Sequence, residues 1–116
     1  MSLANHLLAL LCVSILAAGQ ILFKYTANAV KLEGTVWRAE VLGLAAGGLA
    51  IYAVATLLWI ALLQEAPVSR VYPYVGLSFV LVAGAGWWLF KEQVGSGYLI
   101  GLALIVTGLL VMVRWS

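Results

Sequence analysis

The polar side chains best suited to bind a ligand begin with a pair in the N-terminal segment AAGQILFKY. Gln20 and Lys24 lie four residues apart, which places both on one face of a helix, one turn from each other. Polar groups at membrane depth are costly unless they face a partner or a cavity. The pair predicts a cavity in which Lys24 offers positive charge to an anionic head group. The alternative is that Lys24 extends to the membrane interface, as lysines near helix ends do.

A second polar group lies in LLQEAPVSRVYPYVGLSF, where Glu65 and Arg70 flank Pro67. Pro67 indicates a turn between two helices, so both charged residues lie at a helix end, where they either contact a ligand or are simply solvated. Tyr72 is able to reach inward, and Ser78 lies about a turn and a half further along the same helix. An interfacial aromatic belt is the alternative explanation for Tyr72.

The sequence carries no constellation of catalytic or metal-binding residues. It has one histidine, His6, and one cysteine, Cys12, and it contains no Ser-His-Asp set, phosphate loop or dinucleotide fingerprint. We therefore expect no enzyme activity, no metal and no cofactor. The four acidic residues all lie at or outside the ends of the apolar segments: Glu33, Glu40, Glu65 and Glu92. This argues against proton exchange through a carboxylate in the middle of the membrane.

The elements that must position these residues are four apolar segments. Hydrophobic residues make up 66% of the 116 residues and charged residues 9%, whereas soluble domains carry about 25% charged residues. Each uncharged run is long enough to cross about 30 Å of hydrocarbon as a helix. The sequence therefore predicts an all-α membrane protein with one transmembrane domain over residues 1–116. Its helices are expected at about 3–25, 41–64, 70–90 and 96–114.

The segments between the predicted helices are mostly short, which favours antiparallel packing of consecutive helices. The longest is expected between helices 1 and 2, from about residue 27 to residue 40. More Lys and Arg residues fall on the side of loops 1 and 3 than on the opposite side: Lys24, Lys31, Arg38 and Lys91 against Arg70 and Arg114. This favours both termini outside the cytoplasm. The difference is small, so insertion in both orientations is a second possibility.

Four helices enclose too little volume for an internal pathway, so we expect a dimer, formed with a second copy or with a related subunit. Helices associate in lipid through small residues that allow close approach. Gly97, Gly101 and Gly108 lie on one face of helix 4, which predicts the dimer interface there. The glycines of helices 2 and 3 are instead expected to pack within one subunit: Gly43, Gly47, Gly48, Gly76, Gly84 and Gly86.

The whole chain resembles the small four-helix members of the drug/metabolite transporter superfamily. The segment GLALIVTGL, residues 101–109, is similar to the helix 4 motif by which small multidrug resistance proteins dimerise. PVSRVY, residues 67–72, resembles their entry into helix 3, and Tyr72 falls where that family has a substrate-lining tyrosine. The essential membrane glutamate of that family falls at Leu16, however, and its helix 3 tryptophan at Val75. An exporter with leucine at this position would lack its coupling residue.

A second branch, EamA-like in type, fits better. AAGQ-x-x-x-K (residues 17–24) and LW-x-x-x-LQ-x-x-PV-x-x-x-YP (residues 58–73) resemble the small subunits of the aminoarabinose-phosphoundecaprenol flippase. The similarity continues through LSF (residues 77–79) and K-E-x-V (residues 91–94). It implies a protein of the bacterial cytoplasmic membrane that moves an undecaprenyl-phosphate-linked sugar from the inner to the outer leaflet.

Within that resemblance, Lys24 and Arg70 are the expected phosphate contacts, because charged hydrogen bonds to phosphate are strong. Gln20, Tyr72 and Ser78 are expected to bind the sugar, and Glu65 is expected to contact the substrate as well. One alternative function is a small multidrug resistance-type exporter of cationic drugs or small metabolites, with Glu65 or Glu92 in place of the missing carboxylate. Another is a non-transporting assembly subunit of a larger membrane complex.

Overall fold

A computed structural model describes residues 2–114, which form four helices. They are α1 (Leu3–Glu33), α2 (Ala39–Leu63), α3 (Val68–Leu89) and α4 (Ser96–Arg114). All four are long and apolar enough to cross a membrane. The predicted all-helical membrane fold is therefore confirmed for this part of the chain.

α1 extends much further than its apolar segment. It has 31 residues, about 46 Å of helix, and ends only where Gly34 adopts a left-handed φ of 77° and its N–H bonds to the Val30 carbonyl. The expected long loop over residues 27–40 is therefore wrong, because most of that segment is helix. Charged residues end the apolar run near Lys24, but they do not break a helix. Its last part extends past the hydrocarbon thickness that one span requires.

The helices lie side by side in the order α2, α1, α3, α4, with extensive packing between each neighbouring pair. The described chain is flattened, with extents of 48 × 37 × 16 Å. Consecutive helices are thus not always neighbours: α1 lies between most of α2 and α3, contrary to the simple antiparallel prediction. α2 and α3 meet at their shared turn, where Leu62, Ala66 and Val71 are buried together with Ala9 of α1. Along its shortest extent, 16 Å, the described part of the chain is little thicker than one helix with its side chains.

The contact between α1 and α2 depends on glycines, because an aromatic ring of the other helix occupies the space where a larger side chain would lie. A Cβ atom on Gly19 would lie 2.7 Å from Cδ2 of Tyr52, and one on Gly48 would lie 2.6 Å from Cε1 of Phe23. Between these helices the thiol of Cys12 also donates a hydrogen bond to a backbone carbonyl of α2, at 3.2 Å. Backbones in lipid pack closely where side chains are small. These contacts fix the two helices in one register.

α4 is the least covered helix, since none of its residues is buried. It packs against α3, where Gly76 receives the side chain of Leu109. A Cβ atom on Gly97, Gly101 or Gly108 would meet nothing within 4 Å. The three glycines predicted as a dimer interface are therefore open to the surroundings of the subunit.

Candidate functional site

Gln20 projects from α1 and is held by a hydrogen bond from its side-chain nitrogen, Nε2, to the hydroxyl of Tyr52 on α2. The Tyr52 ring is positioned by Gly19, which makes room for it, and by Phe23, whose ring centroid lies 5.3 Å away. A hydroxyl within a span is stable when it has such a partner. The pair leaves the carboxamide oxygen of Gln20 as an acceptor at a fixed position.

Lys24 lies one turn beyond Gln20 and forms an ion pair with Glu92, with 3.4 Å between Nζ and Oε2. Glu92 belongs to the segment between α3 and α4, where Lys91 adopts a left-handed φ of 52° and turns the chain. The N–H of Glu92 donates to the Gly86 carbonyl at 3.1 Å, and its side chain lies directly over Gly86. The end of α3 thus directs this carboxylate toward α1.

Gln20, Lys24 and Glu92 line one cavity between α1 and the last turns of α3, with a volume of 320 Å³. This volume is at the lower end of the range for small-molecule sites. Its remaining walls are apolar: Ile21, Phe23, Val82, Ala85, Gly86 and Phe90. A cavity with charges at one edge and hydrocarbon walls suits an amphiphile whose polar head is larger than a single ion.

Arg70 lies at the opposite end of the helices. It lines a smaller cavity of 180 Å³ together with His6, Pro73 and Tyr74, in which the His6 ring is hydrogen-bonded to the Tyr74 hydroxyl. His6 and Lys24 are 18 residues apart on α1, which separates the two cavities by about 27 Å along the helix. The structure therefore places Lys24 and Arg70 at separate cavities, and their assignment as phosphate contacts stays a prediction.

Tyr72 contributes to a third cavity, of 250 Å³, between α1, α2 and α3. Tyr52 and Trp59 line it as well, and the Trp59 and Tyr72 rings meet edge to face with centroids 6.3 Å apart. Leu16 and Val75, the positions where the small multidrug resistance pattern has its glutamate and tryptophan, face the same cavity. Aromatic rings thus line part of this cavity, while Leu16 and Val75 contribute hydrocarbon side chains to it.

The remaining predicted residues are not brought to these cavities. The Ser78 hydroxyl donates a hydrogen bond to the Val75 carbonyl of its own helix, with 2.5 Å between the oxygens. The hydroxyl proton therefore already has a partner within the helix. Glu65 is exposed in the turn between α2 and α3. The site around Lys24 therefore consists of Gln20, Lys24 and two residues that sequence reasoning did not assign to it, Tyr52 and Glu92.

Signals for both missed residues were present in the sequence. Tyr52 is a tyrosine well inside an apolar run, where its hydroxyl requires a partner. Glu92 lies on the same side of the membrane as Lys24 once four helices alternate in direction, but its place at the end of an apolar segment did not assign it to a cavity. Among residues 2–114 no three His, Cys, Asp or Glu side chains are grouped as metal ligands.

The sequence model of the EamA-like transporter family matches residues 3–114. The chain belongs to the EamA-like transporter family. It is also 32% identical over 113 residues to a protein of Hamiltonella defensa, covering 93% of this chain and 96% of that protein. A Serratia proteamaculans protein is 32% identical over 110 residues, covering 95% and 96% of the two chains.

A third relative, from Klebsiella pneumoniae, is 43% identical over 56 residues, about half of each chain. All three carry the name probable 4-amino-4-deoxy-L-arabinose-phosphoundecaprenol flippase subunit ArnE. No solved structure matches the chain. The four spans and these bacterial relatives make the chain a multi-pass protein of the bacterial inner membrane.

Proposed function

We propose that this chain is a subunit of a flippase that moves an undecaprenyl-phosphate-linked amino sugar from the inner to the outer leaflet of the inner membrane. The observation that carries the proposal is the cavity that joins Gln20 and Lys24 to hydrocarbon walls. Relatives that match over nearly their whole length have names that describe transport of such a lipid.

The chemistry of the cavity fits this cargo. A polyprenyl phosphate places a compact anion next to a hydrocarbon tail that is already soluble in lipid, so only the head group requires protein contacts. Lys24 supplies the positive charge, since a lysine binds phosphate as a point charge. Gln20, oriented by Tyr52, supplies an acceptor for a sugar hydroxyl. The apolar walls of α1 and α3 lie where the first isoprene units would follow.

The separation of Lys24 and Arg70 gives each of them a distinct step in the proposed transport. A phosphate bound by Lys24 at one membrane surface would meet Arg70 only after it has crossed. Under the predicted orientation the Lys24 end is cytoplasmic, so Lys24 acts in loading and Arg70 in release. Tyr72 lines the cavity between these ends, and in this proposal it contacts the sugar on its way.

Transport requires a second subunit in this proposal, because the flattened monomer cannot enclose a head group. The open glycine face of α4, formed by Gly97, Gly101 and Gly108, is the surface on which that subunit would pack. It is either a second copy or a related four-helix protein, and the word subunit in the names of the relatives is compatible with both.

No observation on the described residues supports the competing exporter function. Leu16 occupies the position of the coupling carboxylate, Glu65 is exposed in a turn, and Glu92 is paired with Lys24. A non-transporting assembly subunit has no need of the Lys24 cavity, so dependence of transport on Lys24 separates it from a flippase.

The test is leaflet accessibility of a polyprenyl-phosphate-linked amino sugar in proteoliposomes that contain the chain and, where required, its partner subunit. Lys24→Gln should reduce the rate at which the sugar reaches the far leaflet at least tenfold. Lys31→Gln is the matched control, because Lys31 is an exposed lysine on the same helix that lines none of the described cavities. Equal rates for wild type and Lys24→Gln would refute the proposed role of the cavity.

A further inference from the structure

The ion pair between Lys24 and Glu92 lies at the polar edge of the cavity between α1 and α3. It is open to solvent, with 43% of the Lys24 side chain and 51% of the Glu92 side chain exposed. Exposed ion pairs contribute little to stability, so the two groups separate at small cost when a better partner arrives. The pair is therefore poorly explained as a structural contact and well placed to exchange partners.

The carboxylate is held more firmly than the ammonium. Glu92 is fixed at its backbone by the bond to the Gly86 carbonyl, and Gly86 is buried beneath its side chain. Lys24 carries its charge on a flexible four-carbon chain that rises from α1. When the pair opens, Lys24 is the member that moves, while Glu92 stays at the edge of the cavity as a fixed negative charge.

A fixed negative charge beside a phosphate site is unfavourable for most phosphorylated ligands. Like charges at short range repel, and the repulsion is larger next to low-dielectric walls. A ligand that carries a cationic group one sugar ring away from its phosphate reverses this effect. Each of its charges then meets an opposite charge of the protein, and the net charge of the site does not change when the ligand binds.

We propose that Glu92 selects the cargo: it binds the ammonium group of an amino sugar while Lys24 binds the phosphate of the same head group. The inference rests on the proposed function, since it takes a lipid-linked sugar phosphate as the ligand. The specificity for an amine then lies with Glu92, which the sequence suggested only as a replacement carboxylate in the exporter alternative. Neutral sugars on the same lipid leave Glu92 unpaired and bind more weakly.

The experiment measures equilibrium binding to the full chain in lipid nanodiscs, assembled with the same partner subunit that the transport assay requires. The ligands are two short-chain polyprenyl phosphates, one carrying 4-amino-4-deoxyarabinose and one carrying its N-acetyl derivative, in which the amine is a neutral amide. Wild type should bind the free amine about tenfold more tightly, as expected for one charge-assisted contact. Glu92→Gln should bind both ligands equally, and Lys24→Gln should weaken both.

Glu33→Gln is the matched control, because Glu33 forms an ion pair of 3.3 Å with Arg38 at the same end of α1 but outside the cavity. It should keep the preference for the amine. Glu92→Ala provides a second variant if Glu92→Gln does not fold.

The possible results separate the two claims. An unchanged preference in a folded Glu92 variant overturns the role of Glu92, while loss of affinity in Lys24→Gln still supports the flippase. Absence of binding of either ligand to wild type overturns both claims.

Discussion

Gly19 provides a sharp test of the structure around Gln20, because the Tyr52 ring occupies the space where a side chain would lie. A Cβ atom at position 19 would be 2.7 Å from Cδ2 and 2.8 Å from Cε2 of that ring. The ring must retreat by roughly 0.7 Å to restore an ordinary contact of 3.4 Å, and this movement pulls its hydroxyl away from Gln20.

The expected cost of Gly19→Ala follows from three contributions. Overpacking costs about 1–3 kcal/mol, and loss of an interhelical hydrogen bond in a membrane costs about 0.6 kcal/mol. Replacing glycine by alanine within a helix returns up to about 1 kcal/mol. We therefore expect Gly19→Ala to lower the free energy of unfolding by about 1–3 kcal/mol.

The assay is reversible unfolding in mixed micelles, followed by helix content. Gly43→Ala is the control, since a Cβ atom on Gly43 meets nothing within 4 Å and only the helix propensity changes. That variant should be as stable as wild type or more stable. Equal stability of Gly19→Ala and Gly43→Ala would refute the close contact between α1 and α2, and with it the positioning of Gln20 by Tyr52.

The remaining predictions concern association and the segment before α4. Gly101→Leu should weaken dimer formation, measured by energy transfer in bilayers, and should leave monomer unfolding unchanged because a Cβ atom at this position meets nothing within 4 Å. Gly43→Leu is the control, since Gly43 is equally open. Unchanged dimer formation in Gly101→Leu would contradict the α4 interface. Lys91→Gly should raise the free energy of unfolding by up to about 1 kcal/mol, because glycine adopts the left-handed φ of 52° without strain. A lower stability for this variant would show that the lysine side chain matters more than its backbone conformation.

The number of helices and their approximate positions follow from hydropathy alone, because each charged cluster interrupts an apolar run. The end of α1 does not follow from it. Lys24 lies where the apolar run stops, yet no glycine or proline occurs between it and Gly34, so the helix continues through Lys31 and Glu33. The C-terminal glycine was the better signal for the end of this helix.

The site was only partly predictable, for reasons that differ between residues. The spacing of Gln20 and Lys24 is a property of one helix, and it places them in one cavity as expected. Their partners Tyr52 and Glu92 come from other elements, whose rotation about their axes is set by packing. In contrast, the sequence alone predicts that Lys24 and Arg70 lie at opposite ends of the helices, because successive spans alternate in direction.

The proposed transport begins when the phosphate of the lipid head group binds at the Lys24 cavity, and photocrosslinking tests this step most directly. A polyprenyl-phosphate amino sugar with a diazirine next to the phosphate is loaded from the cytoplasmic leaflet, irradiated, and mapped by peptide mass spectrometry. Binding of the phosphate at this cavity predicts labelling of Ile21, Phe23, Ala85 and Phe90, with loss of this labelling in Lys24→Gln. Labelling concentrated instead around Arg70 and Tyr74, and unaffected by Lys24→Gln, would contradict it.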